Sequence, residues 1–592
     1  MLSFGGIVNI LYVILFCGFI YVLAYILYGR FLAKKIFHLD DSRTTPAVKI
    51  NDDVDYVPAK KSYLLGQHFA SIAAAGPITG PIIAAGMFGW FPALLWCVFG
   101  TIFIGGVHDM GSLIASVRHK AKSITEVIRQ NVSKRAWVLF MLFIWITLVY
   151  LIIAFTDITA GSLVGFHKLE DGTKVAGGGI ATASILYIFL AIIMGFLVYF
   201  FKVKEKYFLL VLVPMMIVIT WLGQKIPVSL ELLFGTDLML QQHVWSVIIL
   251  VYCFLASLLP MWILLQPRGS IGGYFMYGML VVAAIGLIFG GFEIKYDAFI
   301  TPLSDGSGNP GGSPLFPILF ITIACGACSG FHAIVCSGTT SKQLTLESHS
   351  TPVGYGGMLF EGLLACVSVA CIMMFATTAP EVWNGKSQVS PNFIYAQGMG
   401  RFLNLVGVPL ALAISFGLMA FTTFVSDTLD ICVRLGRYVV EELTGIKGIF
   451  GALLGSFVTA FVPVFFIFQT MEDGSGNTIP AWRIFWNLFG SANQLLAALS
   501  LIGISIWLKN EYKKSYGWIL TFIPAIFMYV MTIWSLLLII HNGWILKQGH
   551  QMLPYISSFL IILALMVGFE TFLSMYSKKK DILENLAPSN TA

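Results

Sequence analysis

The sequence has few charged residues and no long polar segment. Only 11% of its 592 residues are charged, 58% are hydrophobic, and the mean hydropathy is +0.86. This composition lies far from that of soluble globular domains and excludes a water-soluble fold. The longest polar interruption, residues 30–61, is too short for a soluble domain of normal size. The chain is therefore predicted to be an all-α integral membrane protein.

Other common signals are also missing. No basic segment precedes the first apolar run and no small-residue cleavage site follows it, so we expect a retained first span. The nine cysteines lie almost entirely inside apolar runs, which argues against a disulfide framework. The glycine-rich segment GSGNPGG, residues 306–312, lacks the Gly-Lys-Ser/Thr ending of a phosphate-binding loop. An ATP-driven pump is thereby excluded.

What the sequence does contain is about fifteen runs of roughly 20 apolar residues, each predicted to span the membrane as a helix. We number them as spans one to fifteen. They begin near residues 7, 64, 88, 136, 180, 207, 244, 273, 317, 353, 403, 448, 482, 517 and 552. Most of the 35 lysines and arginines, Arg268 included, fall in cytoplasmic loops if the N-terminus lies outside and the C-terminus inside. The net charge of +6 therefore reflects topology and does not indicate nucleic-acid binding.

Span two is interrupted in a way that favours a transporter. The segment GQHFASIAAAGPITGPIIAAG, from Gly66 to Gly86, carries a histidine and two Gly-Pro pairs. Proline removes an amide donor and clashes with the preceding turn, so we expect opened turns at Gly76, Pro77, Gly80 and Pro81. Free backbone groups are tolerated in a membrane only inside protein or along a polar cavity. The alternative interpretation is a simple kink that lets helices pack closely.

A second interruption occurs in span nine, at FITIACGACSGFHAIVCSGTTSKQ, residues 320–343. By the span count the two broken helices run in opposite directions, which predicts an inverted repeat with a LeuT-like five-plus-five core and additional helices. The predicted organisation is a first helix and cytoplasmic loop (1–62), a first repeat (63–222), inserted helices and loops (223–316), a second repeat (317–508), and C-terminal helices with a cytoplasmic tail (509–592).

Five segments in the same order resemble the carbon starvation protein A (CstA) family. They are the two broken spans, GGVHDMG at 105–111, LPMWILLQPRG at 259–269 and FGSANQLLAAL at 489–499. The resemblance implies a multi-pass transporter of the bacterial inner membrane in the amino acid-polyamine-organocation superfamily. Members of the family import peptides, or pyruvate with protons, when carbon is scarce. It therefore implies a secondary active importer, coupled to protons or sodium, that works by alternating access and is not an enzyme.

The predicted substrate site lies where the two broken spans cross. Ionisable groups inside a membrane are costly and commonly functional, and the first turn of a half-helix attracts a carboxylate. The candidate residues are His68, Gly76, Pro77, Thr79, Gly80, Ser329, Gly330, His332, Asn493 and Gln494. Two alternatives stay open: each histidine is a neutral ring bonded to an unwound carbonyl, and the two amides only hold helices together.

The predicted ion-coupling residues lie in spans three, ten and eleven. They are Thr422, Thr423, Ser426, Asp427, Asp109 and Glu361. Asp109 is alternatively an anchor at the membrane surface, and Glu361 a partner of Lys342. Spacings of four and seven place Asp430 on one helical face with Arg434 and Arg437, which indicates either an inner gate of ion pairs or a solvated helix end.

A second hypothesis from another class is a membrane-embedded metal-binding or redox protein. Its candidate ligands are His68, His108, Asp109, Cys325 and Cys328, but three ligands would have to converge, and the spacing does not require this. We expect no cofactor, with a bound cation, sodium or zinc, as the open alternative. The expected partners are the lipid bilayer and a small molecule, namely a peptide, pyruvate or an amino acid.

Overall fold

The structure is a computed structural model that describes residues 9–52, 56–168, 174–203, 206–260, 262–300, 314–379, 382–384, 387–469, 471–472, 478–512, 515–547 and 550–586. The helices of the first part are α1 (Ile10–Ala24), α2 (Pro46–Ile50), α3 (Lys61–Ile72), α4 (Gly76–Phe88), α5 (Trp90–Gly100), α6 (Gly106–Arg118), α7 (Ile124–Asn131), α8 (Lys134–Ser162), α9 (Gly177–Phe201), α10 (Lys206–Lys225) and α11 (Glu231–Phe234). Those of the second part are α12 (Leu238–Leu258), α13 (Leu265–Gly290), α14 (Leu315–Thr322), α15 (Gly330–Gly338), α16 (Gly356–Met373), α17 (Pro391–Asn404), α18 (Leu410–Thr444), α19 (Gly448–Ile467), α20 (Ala481–Glu511), α21 (Ile519–Trp544) and α22 (Met552–Leu586).

Short hairpins are the only strands in the described part of the chain. Each pairs two antiparallel strands: β1 (Phe166–Lys168) with β2 (Lys174–Ala176), β3 (Trp383–Asn384) with β4 (Ser387–Gln388), and β5 (Met471–Glu472) with β6 (Thr478–Ile479). The all-α prediction is therefore confirmed, because these strands lie only in connections between helices.

The predicted spans coincide with helices along the described chain. Twelve helical segments are individually long and apolar enough to cross a bilayer, and α3 with α4 forms a thirteenth as a bent pair. The two remaining predicted spans correspond to α10 and to the pair α14 and α15. Span eleven begins later than predicted, at Leu410, because Gly407 has a φ of 89° after α17 and Pro409 precedes the new helix.

The two predicted five-span units, residues 63–222 and 317–508, contain α3 to α10 and α14 to α20. Their third spans, α8 and α18, pack along each other, and α20 packs against α8. The most apolar 18-residue window of α20 is 94% buried, whereas that of α9 and that of the first span are 22% buried. The helix α20 therefore lies in the protein core, whereas α9 and the N-terminal span lie at the periphery.

The second span of each unit contains a π-helical turn. These turns are Thr101–Gly105, which joins α5 to α6, and Thr351–Tyr355, which leads into α16. π-turns insert an extra residue into a helix and are frequent at functional sites. Glycine lets the two spans approach closely here, since a Cβ on Gly354 would lie 3.0 Å from the Cα of Met110. This contact aligns α6 with α16.

Candidate functional site

The first broken span unwinds at residues 73–75, between α3 and α4, and its two halves are bent by 46°. The GPITGP run is helical, so the prediction of opened turns at Gly76, Pro77, Gly80 and Pro81 is wrong in position. The physical reason is that Pro77 lies in the first turn of α4, where amides have no intrahelical acceptor and a missing N–H costs little. The chain therefore opens one turn upstream.

The two broken spans meet at their interruptions. The second one is non-helical over residues 323–329, between α14 and α15. A Cβ on Gly80 would lie 2.5 Å from the carbonyl oxygen of Thr322, and a Cβ on Gly76 would overlap the Cβ of Cys325. The glycines of α4 thus serve close approach of backbone to backbone. Substrate binding by the backbone amides of Gly76 and Gly80 stays a prediction. The same holds for the assignment of Pro77 and Thr79 to the substrate site.

Two side-chain amides of α20 brace the second interruption. Asn493 Oδ1 accepts the N–H of Phe331 at 2.9 Å, and its Nδ2 donates to Ser329 Oγ at 3.0 Å. Gln494 Nε2 donates to the carbonyl of Phe320. Backbone groups freed by unwinding would be costly if left unpaired in a membrane. These contacts support the interpretation of both amides as packing groups, and α20 also packs directly on Gly330.

Four buried ionisable side chains form a chain of contacts across α6, α15 and α16. His108 Nδ1 lies 2.8 Å from one carboxylate oxygen of Asp109, and His332 Nδ1 lies 2.8 Å from the other. The second ring nitrogen of His332 lies 3.2 Å from Oε2 of Glu361. All four side chains are 0% exposed. We call His108, Asp109, His332 and Glu361 the histidine-carboxylate network.

The network has the chemistry of an intramembrane proton site. A charge buried in protein is stable only when it is paired, and here His332 lies between two carboxylates. Imidazole and carboxylate groups in direct contact can pass a proton between them, so the network can hold a proton inside the protein. Glu361 lies beside His332, although neither its carboxylate oxygens nor His332 Nε2 has a hydrogen-bond partner among the described residues. Its alternative partner Lys342 lies 5.6 Å from the ring of Tyr56.

His68 lies next to this network, on α3. Its Nδ1 is 3.0 Å from Thr340 Oγ1, and its buried Nε2 has no hydrogen-bond partner among the described residues. Glycine at position 357 makes room for the ring, since a Cβ there would lie 2.9 Å from His68 Cδ2. The imidazole is thus bonded to a hydroxyl, and the alternative of a bond to an unwound carbonyl is wrong.

A second ionic cluster was not predicted. Arg268, expected in a cytoplasmic loop, lies in the first turn of α13, and only 2% of it is exposed. Its guanidinium pairs with Asp427 and Asp430 of α18 and donates to the hydroxyl of Tyr252. Tyr252 in turn donates to Asp430 at 2.7 Å. We call Arg268, Asp427, Asp430 and Tyr252 the arginine cluster.

The predicted ion pairs of Asp430 with Arg434 and Arg437 are wrong. Arg434 donates to the backbone carbonyls of Ala256 and Leu259, and Arg437 to that of Ser257. The C-terminal end of α12 lies against α18, and its last carbonyls carry the negative end of the helix dipole, so they attract both arginines. The sequence signal for Arg268 was a single arginine directly after a proline within an apolar segment, where a helix first turn would bury it.

The helix α3 lies between the two ionic groups. His68 faces the histidine-carboxylate network, whereas Gln67 and Ser71 line a small cavity beside the arginine cluster. Two neighbouring threonines after α15 are arranged in the same way. Thr340 forms a hydrogen bond with His68, whereas Thr339 lines the cavity. The two broken spans thus contact each other through His68 and Thr340, and both line the cavity beside the arginine cluster.

The hydroxyls predicted to bind a cation are partly engaged within α18. Thr422 Oγ1 donates to the carbonyl of Met419 at 3.0 Å and lies 3.1 Å from Ser184 Oγ. Ser426 Oγ donates to the carbonyl of Thr422 at 2.7 Å. Thr423 Oγ1 is buried and has no hydrogen-bond partner in the described part of the chain. Cation binding by these residues stays a prediction.

The metal and redox hypothesis finds no support in the geometry. Within the described residues, no three His, Cys, Asp or Glu side chains are arranged to hold a metal ion. The Sγ of Cys325 lies 3.6 Å from Ser329 Oγ, and Cys328 is buried among apolar residues. Cysteine here packs like a small residue at the interruption of the helix.

The fold and the site together define a class of protein. Two interrupted helices that cross inside two five-helix units, with ionisable groups buried at the crossing, are the architecture of LeuT-like secondary transporters. The chain belongs to the carbon starvation protein CstA family, whose model matches residues 9–391 and 376–535. The predicted resemblance is thus confirmed.

Known relatives match over most of their length. The peptide transporter CstA of Bacillus subtilis is 31% identical, over 93% of this chain and 94% of its own. The peptide transporter CstA of Campylobacter jejuni is 30% identical, over 90% and 80%. The pyruvate/proton symporter BtsT of Escherichia coli is 27% identical, over 90% and 82%.

The fold also matches a solved structure. A crystal structure of the manganese transporter of Eremococcus coleocola aligns with a TM-score of 0.52 at 13% identity. The alignment covers 90% of this chain and 99% of that chain. At this identity the likeness concerns the fold alone, and it confirms the predicted LeuT-like core.

Proposed function

We propose that this protein imports a small carboxylate, either pyruvate or a short peptide, together with protons across the bacterial inner membrane. Import takes place by alternating access around the crossing of the two broken spans, and the substrate is not chemically changed. Relatives named as peptide transporters and as a pyruvate/proton symporter support this substrate class. The N-terminus lies outside and the C-terminus in the cytoplasm, in agreement with the distribution of lysine and arginine.

The observation that carries the proposal is the histidine-carboxylate network. It joins α6 of the first unit to α15 and α16 of the second, so its bonds must change when one unit moves against the other. A proton on the network neutralises one carboxylate and weakens the electrostatic attraction between that carboxylate and His332. Protonation is thereby linked to the relative position of the two units.

Protons fit this network better than sodium. Hard cations such as sodium prefer several oxygen ligands, whereas two imidazole rings, which offer nitrogen atoms, flank Asp109. For a substrate without net charge, such as a dipeptide zwitterion, one proton that crosses a potential of 100 mV releases about 2.3 kcal/mol, roughly a fifty-fold concentrating power. One proton together with one monoanion such as pyruvate carries no net charge, so only the pH difference drives that pair. Sodium at Thr422, Thr423 and Ser426 is the alternative that the experiment must test.

The test is uptake of labelled pyruvate and labelled dialanine into proteoliposomes under an imposed proton or sodium gradient. We expect a proton gradient alone to drive accumulation of at least one of the two. Glu361→Gln should lose accumulation but keep exchange of internal for external substrate, because the neutral amide cannot carry the proton. The matched control is Glu231→Gln, which alters an exposed carboxylate. Accumulation driven by sodium alone, or wild-type accumulation by Glu361→Gln, would overturn the proposal.

A further inference from the structure

We propose that Arg268 is the receptor for the carboxylate of the transported molecule and that Asp427 occupies this receptor until the substrate displaces it. The inference rests on the proposed function and assigns its substrate-binding residue. It also predicts that a free carboxylate is the feature shared by keto acid and peptide substrates.

Arg268 has the geometry of a carboxylate receptor. Its guanidinium is buried at the junction of α13 and α18, donates a hydrogen bond to Asp430 and forms an ion pair with Asp427. The rings of Tyr187 and Tyr252 lie 6.0 and 5.5 Å from its Cζ and enclose it. Guanidinium binds carboxylate through paired, charge-assisted hydrogen bonds, and water-free surroundings strengthen these bonds.

Of the two aspartates, Asp427 is the one held less firmly. Asp430 accepts hydrogen bonds from both Arg268 and Tyr252. Asp427 Oδ1 lies against the Nε of Arg268, but neither carboxylate oxygen of Asp427 has a hydrogen-bond partner among the described residues. Release of Asp427 therefore breaks fewer bonds. Glycine at position 272 leaves space for the carboxylate of Asp427, since a Cβ at this position would overlap Asp427 Oδ2.

The receptor opens onto a cavity formed by both broken spans. The cavity measures about 10 Å³, enough for about one water molecule, so a substrate fits only if a group withdraws. Its lining residues are Gln67, Ala70, Ser71, Leu265, Arg268, Gly269, Thr339, Asp427, Asp430 and Ile431. Gln67 Oε1 is buried there without a hydrogen-bond partner in the described chain. When Asp427 withdraws, the carboxylate of the substrate takes its position on Arg268.

The exchange conserves charge when one proton accompanies one carboxylate. With both aspartates ionised, the cluster has one positive and two negative charges. When the substrate carboxylate binds and Asp427 takes a proton, the sum is unchanged, so no additional charge is buried. The titratable groups that face Asp427 and its partners are Arg268, Asp430, Tyr187, Tyr252 and Cys253.

Equilibrium binding to the purified full-length protein in nanodiscs tests the inference. The probes are pyruvate and dialanine, each compared with the derivative in which an uncharged carboxamide replaces the carboxylate, between pH 5.5 and 8. We expect at least one acid to bind more than tenfold more tightly than its amide. Uptake of one proton predicts that its affinity falls by up to tenfold for each pH unit above the titration of Asp427.

Two variants make the test specific. Asp427→Asn imitates the protonated aspartate, so acid binding should persist and lose its pH dependence. Asp430→Asn is the matched control and should retain the pH dependence, because Asp427 still competes for Arg268. Arg268→Lys preserves the charge but not the paired geometry, and should weaken acid binding by more than tenfold. A wild-type pH slope in Asp427→Asn, or amides that bind as tightly as acids, would overturn the inference.

The same preparations separate the two proposals. If a proton gradient drives uptake but Arg268→Lys and Asp427→Asn bind as the wild type does, the receptor assignment fails and the transport function stands. If the acids bind as expected but a proton gradient drives no accumulation, proton coupling fails and the receptor assignment stands. Absence of binding of both acids overturns the receptor assignment.

Discussion

His68 is a buried imidazole with one satisfied and one unsatisfied nitrogen at the edge of the proposed proton site. Replacement by alanine removes a titratable group but leaves a small side chain that α3 accommodates well. We therefore expect His68→Ala to fold and to lose proton-driven accumulation. Uptake in proteoliposomes, with the unfolding temperature measured in parallel, checks both parts.

Thr340→Val provides the matched control for His68. It removes the hydroxyl bonded to Nδ1 but retains the ring. We expect reduced rather than abolished accumulation, since the imidazole can still carry a proton. Wild-type uptake by His68→Ala would remove this histidine from the mechanism.

Gly76 allows the two broken helices to touch. In Gly76→Ala the new Cβ would overlap Cys325, and overpacking of a close contact typically costs about 1–3 kcal/mol. We expect a lower unfolding temperature, partly restored when Cys325→Gly is added. Gly18→Ala in α1 is the control, because no atom lies within 4 Å of its new Cβ. Equal stability of Gly76→Ala and Gly18→Ala would contradict the close approach.

For single residues, the sequence identified most of the buried ionisable side chains but not the contacts between them. His332, Asp109 and Glu361 were candidates because polar groups are rare and costly at membrane depth. Their pairing depends on the approach of α6, α15 and α16, which lie far apart in the chain. Arg268 was missed for a related reason, since its two partners lie about 160 residues away on another helix.

Among the helices, α20 stabilises the interruption of the second broken span. Asn493→Ala would leave the N–H of Phe331 without its acceptor, and an unpaired buried amide costs about 1–3 kcal/mol. We expect a lower unfolding temperature and, because the unwound segment loses its brace, slower uptake. Thermal unfolding in detergent and initial uptake rates measure the two effects.

The control for Asn493 lies on the same helix. Ser500 Oγ is buried and has no hydrogen-bond partner in the described chain, so Ser500→Ala should change neither stability nor uptake. If both variants behaved alike, the bracing role of α20 would be refuted.

The interruptions themselves were predictable, and their exact positions were not. Proline and glycine in an apolar run indicate a break, but a proline at the start of a helix also fits in the first turn. In this chain Pro77 lies in the first turn of α4, and the break lies directly upstream, at residues 73–75. The other broken span contacts Gly76, next to this break.

For the whole molecule, the number and order of spans follow from hydropathy because every backbone group in a membrane must be satisfied within a helix. The repeat followed from the two interruptions, and the family from five ordered segments. The five segment boundaries, 1–62, 63–222, 223–316, 317–508 and 509–592, stay predictions, since contacts such as that of α13 with α3 join inserted and core helices.

The orientation of α18 in the membrane can be measured by labelling introduced cysteines. The nine native cysteines are all buried, so an impermeant maleimide should label introduced cysteines over a low background. Asn404 and Lys447 are exposed on either side of α18, whose 35 residues span about 50 Å and so exceed the bilayer core. In intact spheroplasts we expect labelling of Asn404→Cys, and labelling of Lys447→Cys only after permeabilisation. The reverse pattern would place the N-terminus inside, and the basic loops would then face outward against the charge bias that orients membrane proteins.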